Sequence, residues 1–342
     1  MKILLRLPNW IGDAVMATPT LELLKQKFPQ ASFTIIGTPA VCELFSRDKC
    51  ITSAFIDQTK KNKNRILATY QFAKMIGKHD IGITFTNNIF SALLLFWSQT
   101  PIRIGYSKNL RSLFLTCKLI PLKQIHQVLL YACLLEPVLK LGKSEIIKQT
   151  PKLHLIASNN HYHKIKTKIG INPGGAFGSA KRWLKEYFAE TILYFIQKDY
   201  EIVLFGNQSD IDSAKDIITT IEKLSLNKQL LQNITNLTGL TTIPTLIDTI
   251  SKLDLFITND SGPMHIATAL QIPLIAIFGP TNDQETSPWC HSQAVILNKK
   301  LACSPCKKRV CPLVHHNCMK LITPDEVIIE ANKILKRNNN DC

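Results

Sequence analysis

Short apolar runs rich in Ile, Val and Leu alternate along the chain with longer segments whose apolar positions recur every three or four residues. The first pattern is that of buried parallel strands and the second that of helices laid over them. The alternation therefore predicts an α/β fold with helix-covered parallel sheets. In the first half, strands are expected at Lys2–Leu7, Ser32–Gly37, Ala54–Ile56, Ile81–Phe85 and Ile102–Ile104. A helical stretch from Gly12 to Phe28 contains Pro19, which predicts a kink or a split with Thr18 capping the second piece. Gln124–Leu141 reads as one long helix ended by Gly142.

Residues 143–167 are polar and lysine-rich without a clear period, the best candidate for a linker. A second series follows, with strands at Lys168–Asn172, Ile202–Phe205, Leu255–Thr258 and Leu274–Phe278. Its helices are expected at Leu184–Lys198, Ser209–Glu222, Ile243–Lys252, Pro263–Leu270 and Pro324–Leu335. Two α/β halves joined by one linker imply a cleft, the usual place for a small ligand.

The chain has 342 residues, enough for two domains with real cores, and its 45% hydrophobic content excludes disorder as the dominant state. Apolar stretches such as Ala92–Trp97 are too short for a membrane span, and Arg6 and Pro8 interrupt the first apolar run, against a secretory signal. A cytoplasmic location is expected. Charge changes the picture further. The net +16 is uneven: residues 1–160 hold 21 basic and 8 acidic side chains, and residues 161–342 hold 20 and 17. A first half at +13 suggests an anionic partner: nucleic acid, anionic lipid or a phosphorylated glycolipid. A nucleic-acid reading would need exposed aromatics interleaved with the lysines, and none cluster so.

Three strand-to-helix junctions carry candidate chemistry, since ligands of open α/β sheets sit at the carboxyl ends of strands. In Pro8-Asn9-Trp10-Ile11-Gly12-Asp13, Gly12 would allow a tight turn near a ligand. Asp13 is either a helix-start carboxylate or a general base. The run from Asn172 through Gly174, Gly175, Phe177, Gly178 and Ser179 to Lys181, Arg182 and Trp183 is either a plain loop or a phosphate cradle backed by two cations. It matches neither a P-loop nor a dinucleotide fingerprint. In Asn259-Asp260-Ser261-Gly262-Pro263-Met264-His265, the free amides of a helix start could bind an anion with His265 beside them; the alternative is a capped helix with a buried His. Two such loops in one domain fit a nucleotide diphosphate. Cys303, Cys306, Cys311 and Cys318, with His315 and His316 among them, resemble a structural zinc or iron–sulfur site, or are ordinary reduced thiols.

Read together, RLPNWIGDAVMATP, AFGSAKRW, NDSGPMHIATAL followed by IPLIAIFGPT, and CSPCKKRVCPLVHHNCM resemble the ADP-heptose:lipopolysaccharide heptosyltransferases of glycosyltransferase family 9. The resemblance covers nearly the whole chain. AKRW and the cysteine segment favour the second heptosyltransferase of the inner core over the first. Leu184 stands where family members have Pro after the Trp.

The resemblance implies a GT-B fold with Rossmann-like domains at 1–155 for the acceptor and 156–322 for the ADP-sugar, and a helix at 323–342 packing back on the first. It implies an inverting, metal-independent transfer from ADP-L-glycero-D-manno-heptose, with no cofactor; a monomer is expected. The acceptor would be phosphorylated Kdo-lipid A core, at the inner face of the cytoplasmic membrane, with no role for nucleic acid. By similarity Asp13 is the base, and Lys181, the Ser261 and Gly262 amides and His265 stabilise departing ADP. Gly12, Phe177, Gly178, Ser179, Asp210 and Asp260 join the donor site. Arg65, Arg103, Lys108 and Arg111, which flank strand-end loops, are candidate acceptor contacts. The alternatives are transfer of the first heptose, or another GT-B nucleotide-sugar enzyme such as a non-hydrolysing epimerase.

Overall fold

The computed structural model describes residues 1–158, 166–175 and 177–340, the last three as backbone only. Residues 159–165 of the expected linker and Ala176 of the glycine-rich loop lie outside the described residues. The chain divides into two compact units, Met1–Ile156 and Ala157–Cys342.

In the first unit six strands form one parallel sheet: β1 (Lys2–Arg6), β2 (Ser32–Gly37), β3 (Ile51–Ile56), β4 (Ile81–Thr84), β5 (Ile102–Tyr106) and β6 (Cys117–Leu119), in the order β3-β2-β1-β4-β5-β6. The second unit repeats this plan with β7 (Lys168–Asn172), β8 (Glu201–Leu204), β9 (Ile234–Asn236), β10 (Leu255–Asn259), β11 (Leu274–Ile277) and β12 (Ala294–Leu297), in the order β12-β11-β10-β7-β8-β9. Both are the Rossmann order, in which the connections reverse direction beside the first strand of each unit and leave a crevice there. The central strands read as unbroken apolar runs because helices cover both faces; every residue of β10 and β11 is buried. Strands β6 and β9 are three residues long, lie away from the sheet centres and mix polar with apolar residues, so the pattern of the sequence does not announce them; β12, at an edge, is apolar but only four residues long.

Several expectations need correction. The helix expected at Gln124–Leu141 is three consecutive pieces, Gln127–Ala132, a tighter turn at Cys133–Leu135 and Glu136–Leu139, because Pro137 cannot donate into a continuing α-helix and sits at the start of the last. The first helical stretch does split, into Ile11–Met16 and Thr18–Lys27, but Ala17 is the cap. The Thr18 hydroxyl donates back to the Val15 carbonyl. The segment read as a linker begins with a helix, Lys143–Gln149, and continues with buried Leu153 and Leu155, so the first unit extends to Ile156. The final helix spans Pro324–Asn340. Its buried residues Val327, Ala331, Ile334 and Leu335 belong to the second unit's core, against the helix Lys185–Ile196.

Candidate functional site

In the second unit the crevice lies between the ends of β7 and β10. Two buried asparagines pin the loops that follow. Asn172 donates through Nδ2 to the Thr258 hydroxyl (3.2 Å) and the Ser261 hydroxyl (3.1 Å). Asn259 donates to the carbonyls of Pro173 (2.8 Å) and Gly174 (3.3 Å), and its Oδ1 accepts from the Trp183 amide (3.1 Å). Each loop therefore holds the other in place, and unpaired amides at this depth would be costly. Both asparagines stand in the loop motifs, yet nothing in their spacing announces this mutual pinning.

On this frame Lys181 closes a one-turn helix, Ser179–Lys181, and its Nζ reaches Asp260 Oδ2 at 2.5 Å with both side chains mostly buried. Thr281 donates to the same oxygen at 2.6 Å, a partner that sequence reading missed. The Lys181 ammonium also stands 5.1 Å from the Phe177 ring centroid, and the Arg309 guanidinium 5.7 Å from it. Ser261 caps the helix Gly262–Ala269, with His265 buried in its first turn. The two motifs thus meet: a cation from one and a helix start from the other share Asp260.

Asp210 is 1% exposed and fully engaged, accepting from Arg182 at 3.0 Å and from the Asn207 amide at 3.1 Å. It braces one loop against the next. Gly174 is required beneath it, since a Cβ there would overlap the Asp210 carboxylate. Gly178 has φ +154°, and a Cβ would overlap the Arg309 carbonyl, which accepts from the Ala180 amide at 3.0 Å.

That carbonyl belongs to the cysteine segment, which clamps the Lys181 loop from outside. His316 Nε2 lies 2.9 Å from the Ala180 carbonyl, and the Lys307 amide donates to the Pro280 carbonyl at 2.7 Å. Cys303, Cys306, Cys311 and Cys318 line one small cavity with His315 and His316. Burial, reinforced by the other three thiols, pushes the Cys318 thiol up to about 11. All four are free thiols, and among the described residues no three His, Cys, Asp or Glu side chains form a group able to hold a metal ion.

In the first unit the equivalent crevice lies between β1 and β4. Arg6, at the end of β1, is 5% exposed and donates to Asn9 Oδ1 (2.9 Å) and Asp57 Oδ2 (3.1 Å). Burial lowers its proton affinity and Asp57 works against that. The guanidinium thus props the loop leading to Asp13. Gly12 is helical, the second residue of Ile11–Met16, and not the turn expected of it. Asp13 follows in the same first turn, half-buried, and accepts from the Tyr131 hydroxyl at 3.3 Å. Trp10 beside it is 59% exposed.

The four candidate acceptor cations separate. Lys108 is exposed. Arg65 is half-buried with its guanidinium 3.7 Å above the Phe90 ring. Arg103 spends its donors on the Phe114 and Thr100 carbonyls, both at 2.7 Å. Arg111 is a correction: it is 2% exposed and holds Asn87 and the Tyr106 carbonyl, and burial lowers it to about 10. It organises the interior of the unit and is no surface charge.

The family model for glycosyltransferase family 9 (heptosyltransferase) matches residues 69–316. The chain belongs to glycosyltransferase family 9. It is 36% identical over 340 residues to lipooligosaccharide heptosyltransferase 2 of Campylobacter jejuni, covering 98% of this chain and 99% of that one. With lipopolysaccharide heptosyltransferase 2 of Escherichia coli K12 the identity is 27%, over 98% of this chain and 99% of that protein. The solved E. coli ADP-heptose heptosyltransferase II superimposes with a TM-score of 0.81 at 25% identity, covering 99% of this chain and all of the other. The expected GT-B class, with its two Rossmann-like domains, stands, and this family member is a glycosyltransferase.

Proposed function

We propose that this family 9 enzyme moves heptose from ADP-L-glycero-D-manno-heptose onto the first heptose of the lipopolysaccharide inner core, with inversion and without a metal ion or other cofactor. In this reading Asp13 takes the proton of the acceptor hydroxyl as that oxygen attacks the anomeric carbon. The bond from that carbon to the β-phosphate oxygen breaks, and its electron pair leaves with ADP. Attack from the face opposite the leaving group inverts the centre. Lys181, the amides of Ser261 and Gly262, and His265 receive the charge that grows on the β-phosphate, the electrostatic role a divalent ion fills elsewhere. Gly12, Phe177, Gly178 and Ser179 complete the donor-site assignment, with Asp210 and Asp260 holding its loops.

The observation that carries this reading is the Lys181–Asp260 contact, set at the crevice of the second unit where the two phosphate-type loops are pinned together. The acceptor side rests on the first unit's excess of positive charge, with Lys108 and Arg65 the better placed contacts. Among the described residues no helix is long and apolar enough to cross a membrane. We infer peripheral attachment to the inner face of the cytoplasmic membrane by a monomer. Exposed Ile66 (62%), Leu67 (50%) and Met75 (62%), on a helix flanked by lysines, support it.

The test is transfer from ADP-heptose, in EDTA, to Kdo2-lipid A carrying one heptose, with the heptose-free acceptor as control. Transfer only to the heptose-bearing acceptor is expected. Transfer to the heptose-free acceptor would reassign the enzyme to the first heptose, and dependence on added metal would remove the metal-free mechanism. A second expected result concerns the Lys181 loop. Gly178→Ala should force Arg309 and the loop apart, costing roughly 1–3 kcal/mol of stability, as overpacking does. Titration of ADP should show weakened binding, and unchanged affinity with an unchanged melting temperature would mean that the loop does not need this fit.

A further inference from the structure

Asp13 and Tyr131 lie 118 residues apart in sequence and meet because the helix Gln127–Ala132 packs against the helix Ile11–Met16. The Tyr131 ring is 6% exposed and set edge-on against Phe85, the residue after β4, with centroids 5.3 Å apart. Its hydroxyl has few choices of direction. The Gln127 side chain hydrogen-bonds the phenol and favours its ionised form, as a donor to its oxygen does. The phenol's own proton is then directed to Asp13 Oδ1. Burial and the neighbouring carboxylate hold the phenol well above its ordinary range, so it keeps that proton and stays a donor.

We propose that Tyr131 is a positioning residue that orients the Asp13 carboxylate for proton abstraction. The proposal rests on the reading of Asp13 as the base. A carboxylate on the first turn of a six-residue helix can rotate about two bonds, and only some of its orientations aim a lone pair at an acceptor hydroxyl. A hydrogen bond from a ring held by packing favours some of those orientations over others, and the buried ring costs little further ordering. Arg6 sets the backbone that carries Asp13; Tyr131 sets the side chain.

The experiment is a double-mutant cycle on the full chain with Tyr131→Phe, Asp13→Asn and the pair. It is read as kcat, KM for ADP-heptose, ADP affinity and melting temperature. Tyr131→Phe keeps the ring and its contact with Phe85, so the fold should stand. It should lower kcat about tenfold, the scale of a lost hydrogen bond to a charged group, while KM for the donor and ADP affinity hold. In the Asp13→Asn background the same change should have almost no effect, since the two side chains act as one unit. Full activity in Tyr131→Phe beside an inactive Asp13→Asn would overturn the positioning role and leave the base in place. Full activity in Asp13→Asn would overturn both. Equal, additive losses in the two backgrounds would also overturn the proposal, because Tyr131 would then be acting through something other than Asp13.

Discussion

Asp13→Asn should lower kcat by roughly 10²–10⁴-fold, the usual contribution of a positioned general base, and leave ADP affinity unchanged. The substitution is nearly isosteric. The amide oxygen can still accept from Tyr131, and the helix Ile11–Met16 keeps its backbone, so a loss of rate is not a loss of fold. The separation of effects follows from where the groups reside. Asp13 belongs to the first unit, after β1, whereas the Lys181 loop and the Ser261 helix start are built wholly within the second. Binding of ADP alone, followed by calorimetry, should be indifferent to residue 13. If turnover is unchanged, Asp13 is only a helix-start carboxylate, and the proton must leave by another route. If ADP affinity falls with turnover, Asp13 is shaping the donor site and the division of labour between the units is wrong.

Much of this arrangement is legible in the sequence because it rests on local chemistry. Central strands buried on both faces must be continuous apolar runs, and β2 and β7 fall at their expected limits. The loops after β1, β7 and β10 declare themselves by glycine, proline and charged residues directly after such runs. What escapes is whatever depends on a partner far along the chain. Tyr131 reads as one more apolar position on a helix until the fold sets its hydroxyl beside Asp13. Arg111 reads as a candidate acceptor contact in a basic stretch until the loop after β5 folds it inward onto Asn87. The apolar face of the last helix is plain in the sequence, but not which core it completes; only the packing of Val327 and Ala331 in the second unit decides that. Gly12 misleads for a related reason. Glycine permits a turn without requiring one, and here it simply continues a helix.

The largest effect in the donor half is expected from Lys181→Met. Loss of one preorganised donor to a developing oxyanion typically costs about 10²–10³ in kcat, and Lys181 carries a full charge. The substitution also strands Asp260, which is 5% exposed at its side chain and, of its side-chain donors among the described residues, keeps the Thr281 hydroxyl. Removing one member of a buried pair costs about 3–5 kcal/mol, and Lys181, itself 14% exposed, places this pair toward the lower end. Two losses are therefore superimposed, and a second variant separates them. In Lys181→Met with Asp260→Asn the uncompensated carboxylate is gone, so the melting temperature should return most of the way while kcat stays low. If activity returned together with stability, the lysine would be needed only to neutralise Asp260, and the leaving phosphate would have to be met by the helix-start amides and His265 alone. If neither returned, Asp260 would have a role of its own beyond pairing, the one assigned by similarity to the heptose donor.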